Sequence, residues 1–139
     1  MIKKLIFIFI FTFWPNFILA NTEYFEQGLN LFKNKKFNEA KFKFEQDIVF
    51  NPKNEKSYLY LSKIFKNLEK RDLQEQNLTT VILLNPKNEE AIYSLAKLKL
   101  ITSDYKRSKE LNDQLIVVCN KFCSQSQKLK IEIENLSKK

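Results

Sequence analysis

The chain has no histidine, one glycine, three prolines, two cysteines and a single tryptophan in 139 residues. Each shortage excludes something. Without histidine there is no general base of the commonest kind, no imidazole for zinc and no haem attachment through a Cys-Cys-His signature. One glycine cannot build a glycine-rich phosphate loop. Few glycines and prolines also disfavour turn-rich β folds and suit helices joined by tight polar corners. The length allows one modest domain. No two-domain enzyme fits.

What is present is globular in composition, with 44% apolar and 29% charged residues. That is enough hydrophobic content for a core. Asp and Glu are numerous, but they sit beside Lys at helical spacing, the pattern of solvated helix surface rather than of a catalytic pair. No enzymatic activity, cofactor or metal site is expected. The formal net charge is +8, which favours acidic partners. Because the lysines are interleaved with glutamates and no run of five like charges occurs, nucleic acid is not an expected partner.

Residues 1–20 have the layout of a secretory signal. Lys3 and Lys4 make a basic start, Leu5 to Ile10 with Phe11, Phe13, Phe17, Ile18 and Leu19 an apolar stretch, and Ala20 the small residue at the cut. Cleavage is expected between Ala20 and Asn21, giving a domain from 21 to 139, exported and periplasmic. The alternative is an uncleaved anchor over residues 5–20, interrupted by Pro15 and Asn16. Only in that case is the membrane a partner. Removing Lys3 and Lys4 would leave 22 basic residues against 16 acidic ones.

The most specific signal is internal. Asn51-Pro52-Lys53-Asn54-Glu55 recurs unchanged as Asn85-Pro86-Lys87-Asn88-Glu89, 34 residues on. Each copy closes an apolar run, Asp47 to Phe50 and then Val81 to Leu84, and opens a new helical pattern. Pro52 and Pro86 cannot continue a helix and push the preceding asparagine out of it. Asn54 and Asn88 can cap the next helix, with Glu55 and Glu89 at its positive end.

On this period and these residues the chain resembles the tetratricopeptide repeat family over nearly all of its length after residue 20. The first unit, 21–54, matches at Tyr24, Gly28, Leu31, Phe37, Ala40, Phe44 and Pro52. The second, 55–88, matches at Tyr58, Leu61, Ser62, Phe65, Leu78 and Pro86 and departs at Gln74, where a small residue belongs. The third, 89–122, keeps Ile92, Leu95, Ala96, Tyr105 and Leu115. It is degenerate, with Ser108 in the small-residue slot, Asn112 in an apolar one and Asn120 where proline belongs.

Two helices cross closely only where a small residue faces a larger one, which Gly28 with Phe44 and Ala96 with Leu115 could supply. The predicted helices are 22–34, 37–50, 55–67, 72–84, 89–101 and 104–119. A capping helix follows over 124–137, opened by a Ser124–Gln127 capping box and carrying Leu129, Ile133 and Leu136 on one stripe. The resemblance implies an all-α, right-handed superhelical stack of helix-turn-helix units with a C-terminal capping helix.

It also implies that the first helix of each pair lines a concave, partner-binding face. The candidate residues there are Phe25, Leu29 and Phe32, then Leu59, Tyr60, Lys63 and Lys66, then Tyr93, Lys97 and Leu100. Aromatic anchors beside lysine stems suit a protein or peptide partner. The same pattern equally serves packing against neighbouring helices. The clamp with which some relatives hold a C-terminal carboxylate is missing, since Phe25, Leu29, Tyr60, Glu90 and Ser94 stand at its positions. Oligomeric state is not encoded in any of these features.

Cys119 and Cys123 fall at the last junction. In an oxidising compartment they are read first as a disulfide. The spacing requires Asn120-Lys121-Phe122 to leave the regular helix. Two alternatives remain, free buried thiols and a redox-active dithiol that would make the protein a thiol-dependent accessory.

Overall fold

The computed structural model describes residues 20–138. They form seven α-helices: α1 (Ala20–Lys33), α2 (Phe37–Phe50), α3 (Glu55–Asn67), α4 (Arg71–Leu84), α5 (Glu89–Ile101), α6 (Tyr105–Val118) and α7 (Cys123–Leu136). The candidate signal segment lies outside the described residues except for Ala20, where α1 begins. α2, α3 and α5 match their predicted bounds. The other four differ by one or two residues.

Each repeat is an antiparallel helix pair closed by a three-residue turn. In all three turns the chain passes through the left-handed region at a non-glycine residue, Lys35 (φ 59°), Glu69 (φ 57°) and Ser103 (φ 63°), again 34 residues apart. The backbone reason is a six-to-one hydrogen bond that closes the helix end: Lys36 N to Leu31 O, Lys70 N to Phe65 O and Asp104 N to Lys99 O. Glycine is the residue such a position favours, yet the chain's one glycine is elsewhere.

The corners between pairs obey the pentapeptide. Asn51 (ψ 74°) and Asn85 (ψ 91°) leave the helical region ahead of their prolines. The Asn54 side chain then accepts from Lys56 N and the Asn88 side chain from Ala91 N, capping α3 and α5.

α7 opens differently from expectation. It begins at Cys123, with Phe122 as N-cap and no side-chain cap. The Ser124–Gln127 capping box is therefore not formed. Its place is taken from a distance: Glu89 Oε2 accepts from the backbone N–H groups of Asn120, Lys121 and Phe122, at 2.9, 2.8 and 2.8 Å.

Two clusters share the core. Ala40, Phe44, Leu61, Ile64 and Phe65 fill the first, and residues of α4 to α7 such as Leu78, Ile92, Leu111, Leu115, Leu129 and Ile133 fill the second. Gly28 sits against Phe44, where an added Cβ would lie 2.9 Å from the Phe44 ring. Ala96 and Leu115 are both fully buried within the second cluster. The polar substitutions in the degenerate third unit are satisfied. Ser108 Oγ donates to Ala96 O at 2.8 Å, and Ser126 Oγ on α7 donates to Asn112 Oδ1 at 2.9 Å. One repeat earlier the positions of Asn112 and Ser126 hold Leu78 and Ile92, so the last interface exchanges an apolar pair for a hydrogen-bonded one.

Candidate protein-binding face

Four first helices, α1, α3, α5 and α7, form one layer. Side chains join them in sequence. Phe25 and Phe32 of α1 both meet the Tyr60 ring of α3 edge-on, with centroids 5.9 and 5.1 Å away. Lys63 of α3 pairs with Glu90 of α5 at 2.8 Å, and Lys97 of α5 with Glu132 of α7 at 2.8 Å. Tyr93 packs on Phe122 at 5.5 Å.

Tyr60 is the centre of this face. Besides Phe25 and Phe32 it stacks on the buried Phe44 at 5.2 Å, and the Lys63 ammonium lies over its ring at 4.8 Å. An edge-to-face cluster of this kind adds about 0.5–1.5 kcal/mol per ring pair beyond burial and holds its members in fixed rotamers. Phe25, Phe32 and Tyr60 remain half-exposed, so they form a rigid aromatic floor. Leu29 is half-buried and Lys66 exposed at its margin.

The remaining candidates separate from this group. Leu100 is 3% exposed and belongs to the second core cluster, so it is a core residue and not, as expected from the sequence, an accessible residue of the binding face. Leu59 packs against the same cluster while keeping partial exposure. Lys63 and Lys97 are each closed by a glutamate from the next first helix, which removes much of the positive field expected of them. Exposed pairs of this type contribute little stability, but they compete with any acidic ligand for the ammonium group. Tyr93 sits under the last corner, against Phe122.

The last corner is the most constrained part of the layer. The structure brings the sulfurs of Cys119 and Cys123 into bonding contact with Cα atoms 5.2 Å apart, a separation that suits a disulfide. As expected for that spacing, residues 120–122 leave the helix. The three N–H groups of those residues converge on Glu89, whose carboxyl is held below the usual carboxylate range by the bonds from Asn120 and Phe122, with Lys121 adding a favourable charge. Nothing in the local sequence announces this contact. It is the second of its kind: Glu55 Oε1 accepts from the Asn85 side chain at 3.0 Å and from the Asn88 side chain at 3.4 Å. The repeated pentapeptide glutamate thus reaches the next corner in both cases.

The first corner uses another device. Asp47, fully buried, accepts from the Asn54 amide at 2.6 Å and from the Ser57 hydroxyl. One repeat on, the equivalents of Asp47 and Ser57 are Val81 and Ala91.

Among the described residues, no group of three or more Cys, Asp or Glu is arranged to hold a metal ion, and no helix is long and apolar enough to cross a membrane. Two surface hollows lie over Glu69–Leu73 and along α4 from Asp72 to Thr80. None of the candidate residues lines them.

No protein-family model matches the sequence, and no curated protein matches it. Solved structures do. The TPR domain of Arabidopsis OM64 is 23% identical, covering 83% of this chain and 98% of that one with a TM-score of 0.72. The TPR2B domain of yeast Sti1, in a pHsp70 complex, is 15% identical, with 84% and 97% covered and a TM-score of 0.74. The Yersinia enterocolitica type III secretion chaperone SycD, in complex with a peptide of the translocator YopD, is 15% identical, with 86% and 95% covered and a TM-score of 0.75. High coverage on both sides and TM-scores of 0.72 to 0.75, together with the seven helices described above, establish that the described chain has the all-α tetratricopeptide-type repeat fold.

Proposed function

We propose that the protein is a non-catalytic interaction module, exported to the periplasm, that holds a peptide or a segment of a partner protein on the layer formed by α1, α3 and α5. The observation that carries this reading is the half-exposed aromatic floor of Phe25, Phe32 and Tyr60, fixed by stacking on Phe44. Rigid aromatics give large contact area at low entropic cost. Support from likeness is that, on this fold, SycD is in complex with a peptide of YopD and the Sti1 domain in a pHsp70 complex.

The ligand it suits is an extended or helical segment with an apolar anchor and at most mild acidity. Lys63 is already paired with Glu90, and no carboxylate clamp is present, so a peptide chosen for its acidic C-terminus is not the expected occupant. Export is supported by the order of charge, apolar stretch and small residue in residues 1–20, and the closeness of the Cys119 and Cys123 sulfurs agrees with an oxidising compartment.

The test is selection from a displayed peptide library against the immobilised protein, followed by competition with Lys66→Glu and Phe32→Ala. Lys66 is exposed, so its reversal leaves the fold intact. Enriched apolar peptides whose binding falls at least roughly tenfold in either variant support the reading, a loss of about 1.4 kcal/mol. Peptides indifferent to both substitutions refute it.

The second reading is the thiol-dependent accessory. It needs one accessible, reactive thiolate. Cys119 lies at the C-cap of α6, the negative end of a helix, which disfavours a thiolate, whereas Cys123 opens α7 at a positive helix end and would be the reactive thiol. Titration of the native protein with a thiol reagent, before and after reduction, separates the two readings.

A further inference from the structure

Three aliphatic side chains that the fold leaves in solvent obey the repeat period. Val49, Leu83 and Val117, 34 residues apart, are 75%, 80% and 84% exposed. Each sits in the last turn of a second helix, α2, α4 or α6. An outward position on a surface helix is ordinarily polar, and single exposed aliphatics need no explanation. A row of three at one repeat position does.

The next position out repeats as well. Four residues beyond each aliphatic is a lysine, Lys53, Lys87 and Lys121, each exposed at the tip of a corner. One helical turn back along the same stripe the residues are Glu45, Thr79 and Asp113, so the positive end of the pattern points outward from the corners and the acidic end away from them. Of the other acids at this edge, Glu55 is held by Asn85 and Asn88, Glu89 by the backbone of residues 120–122 and Glu90 by Lys63, while Glu23 in the first turn of α1 is exposed.

A second observation comes from topology. In antiparallel pairs the start of each first helix lies beside the end of its own second helix. Tyr24, in the second turn of α1, stacks on Phe50 at the end of α2 at 5.5 Å. Where residues 1–19, with their apolar run from Leu5 to Ile10, are retained, they join the described chain at this same edge.

We propose that the corner edge of the stack lies on an anionic lipid surface, with Val49, Leu83 and Val117 entering the headgroup boundary and Lys53, Lys87 and Lys121 engaging lipid phosphates. Aliphatics flanked by lysines are the chemistry of interfacial attachment, in which the apolar groups gain by burial and the ammonium groups by the negative surface potential. The layer carrying Phe25, Phe32 and Tyr60 stays free for a partner. A second copy of the chain would bring the three lysines against each other. That repulsion makes lipid the better occupant.

The experiment uses the full chain carrying Trp14→Phe, with a reporter tryptophan introduced either as Leu83→Trp or, at the opposite edge, as Lys106→Trp. Both sites are exposed, and circular dichroism checks that each variant folds. Emission is read with vesicles containing brominated phosphatidylglycerol and with neutral brominated vesicles. The expected result is a blue shift and strong quenching at position 83 on anionic vesicles only, with neither at position 106. Lys53→Gln, Lys87→Gln and Lys121→Gln together should weaken that contact roughly a hundredfold, about fivefold per lysine. Equal quenching at both edges, or none at position 83, overturns the proposal. Quenching at 83 that survives in neutral vesicles and without the lysines also overturns it, because residues 1–19 alone would then account for it. So does a concentration-dependent dimer, seen by sedimentation without lipid, that the lysine substitutions strengthen.

Discussion

Glu89 Oε2 accepts a hydrogen bond from Asn120 N at 2.9 Å, across 31 residues of chain. Asn120 stands at the position where the two earlier corners have proline, and proline has no N–H to donate. The departure from the repeated pattern thus adds a third backbone donor to those of Lys121 and Phe122, whereas Glu55, opposite a corner that keeps Pro86, is held by the Asn85 and Asn88 side chains.

This contact makes the last corner pH-sensitive. Glu89 has its pKa lowered in the folded state, chiefly by the Asn120 and Phe122 amides, so its contribution is present above the ordinary glutamate value and is lost as pH falls through the lower folded one. Thermal melts of wild type and Glu89→Gln should differ at neutral pH and converge in acid. Asn120→Pro should shift the wild-type acid limb upward by removing one of the three donors. A gap between wild type and Glu89→Gln that is independent of pH would disprove the assignment.

Gly28→Leu should be among the most destabilising single substitutions. Even a Cβ at residue 28 falls 2.9 Å from Phe44 Cε1, and Phe44 cannot retreat because Phe25 and Tyr60 pack on it. The overpacking cost is about 1–3 kcal/mol or more. Gln74→Ala, which restores the small residue at a position 7% exposed, should be neutral or mildly stabilising. Denaturant midpoints of the pair provide the comparison.

At the tight turns the expected change has the opposite sign. Glu69→Gly and Ser103→Gly place glycine where the chain already has φ of 57° and 63°. Each should raise stability by up to about 1 kcal/mol by relieving left-handed strain. Loss of stability in both would mean that entropy of the unfolded chain outweighs that strain.

Replacing both cysteines by serine should act locally. A bridge between Cys119 and Cys123 closes so short a loop that chain entropy accounts for on the order of 2 kcal/mol at most. Glu89 still holds residues 120–122 in the variant. Hydrogen exchange should accelerate from Cys119 to Leu136 while α1 to α4 stay protected, and it should accelerate further when Glu89→Gln is added. Unchanged exchange in this region would show that the sulfurs contribute nothing to the corner.

How much of this could be read beforehand depended on the range of the interaction. The helix bounds at 37–50, 55–67 and 89–101, the caps at Asn54 and Asn88 and the crossing of Gly28 with Phe44 follow from residues within one repeat and from a period that fixes their register. That Phe25, Phe32 and Tyr60 lie on the first helices of their units was legible for the same reason, although their mutual packing was not. The expected capping box at Ser124 failed because a local signal lost to a stronger distant acceptor. Leu100 failed because helical periodicity gives a face but not what lies against it, and α7 closes over that end of the second core.

By itself, then, the order of residues determined the period, the seven helices, the polar corners and the small-to-large crossings, since each is a property of neighbours along the chain or of one unit repeated. Only the tertiary structure decided which charges are spent internally, as in Lys63 with Glu90, Lys97 with Glu132 and Glu89 with the last corner. The two lysine pairs join helices of different units and Glu89 joins the two ends of its own unit, at separations of 27 to 35 residues. Whether two such side chains meet is set by how one unit stacks on the next, a geometry that no single unit contains.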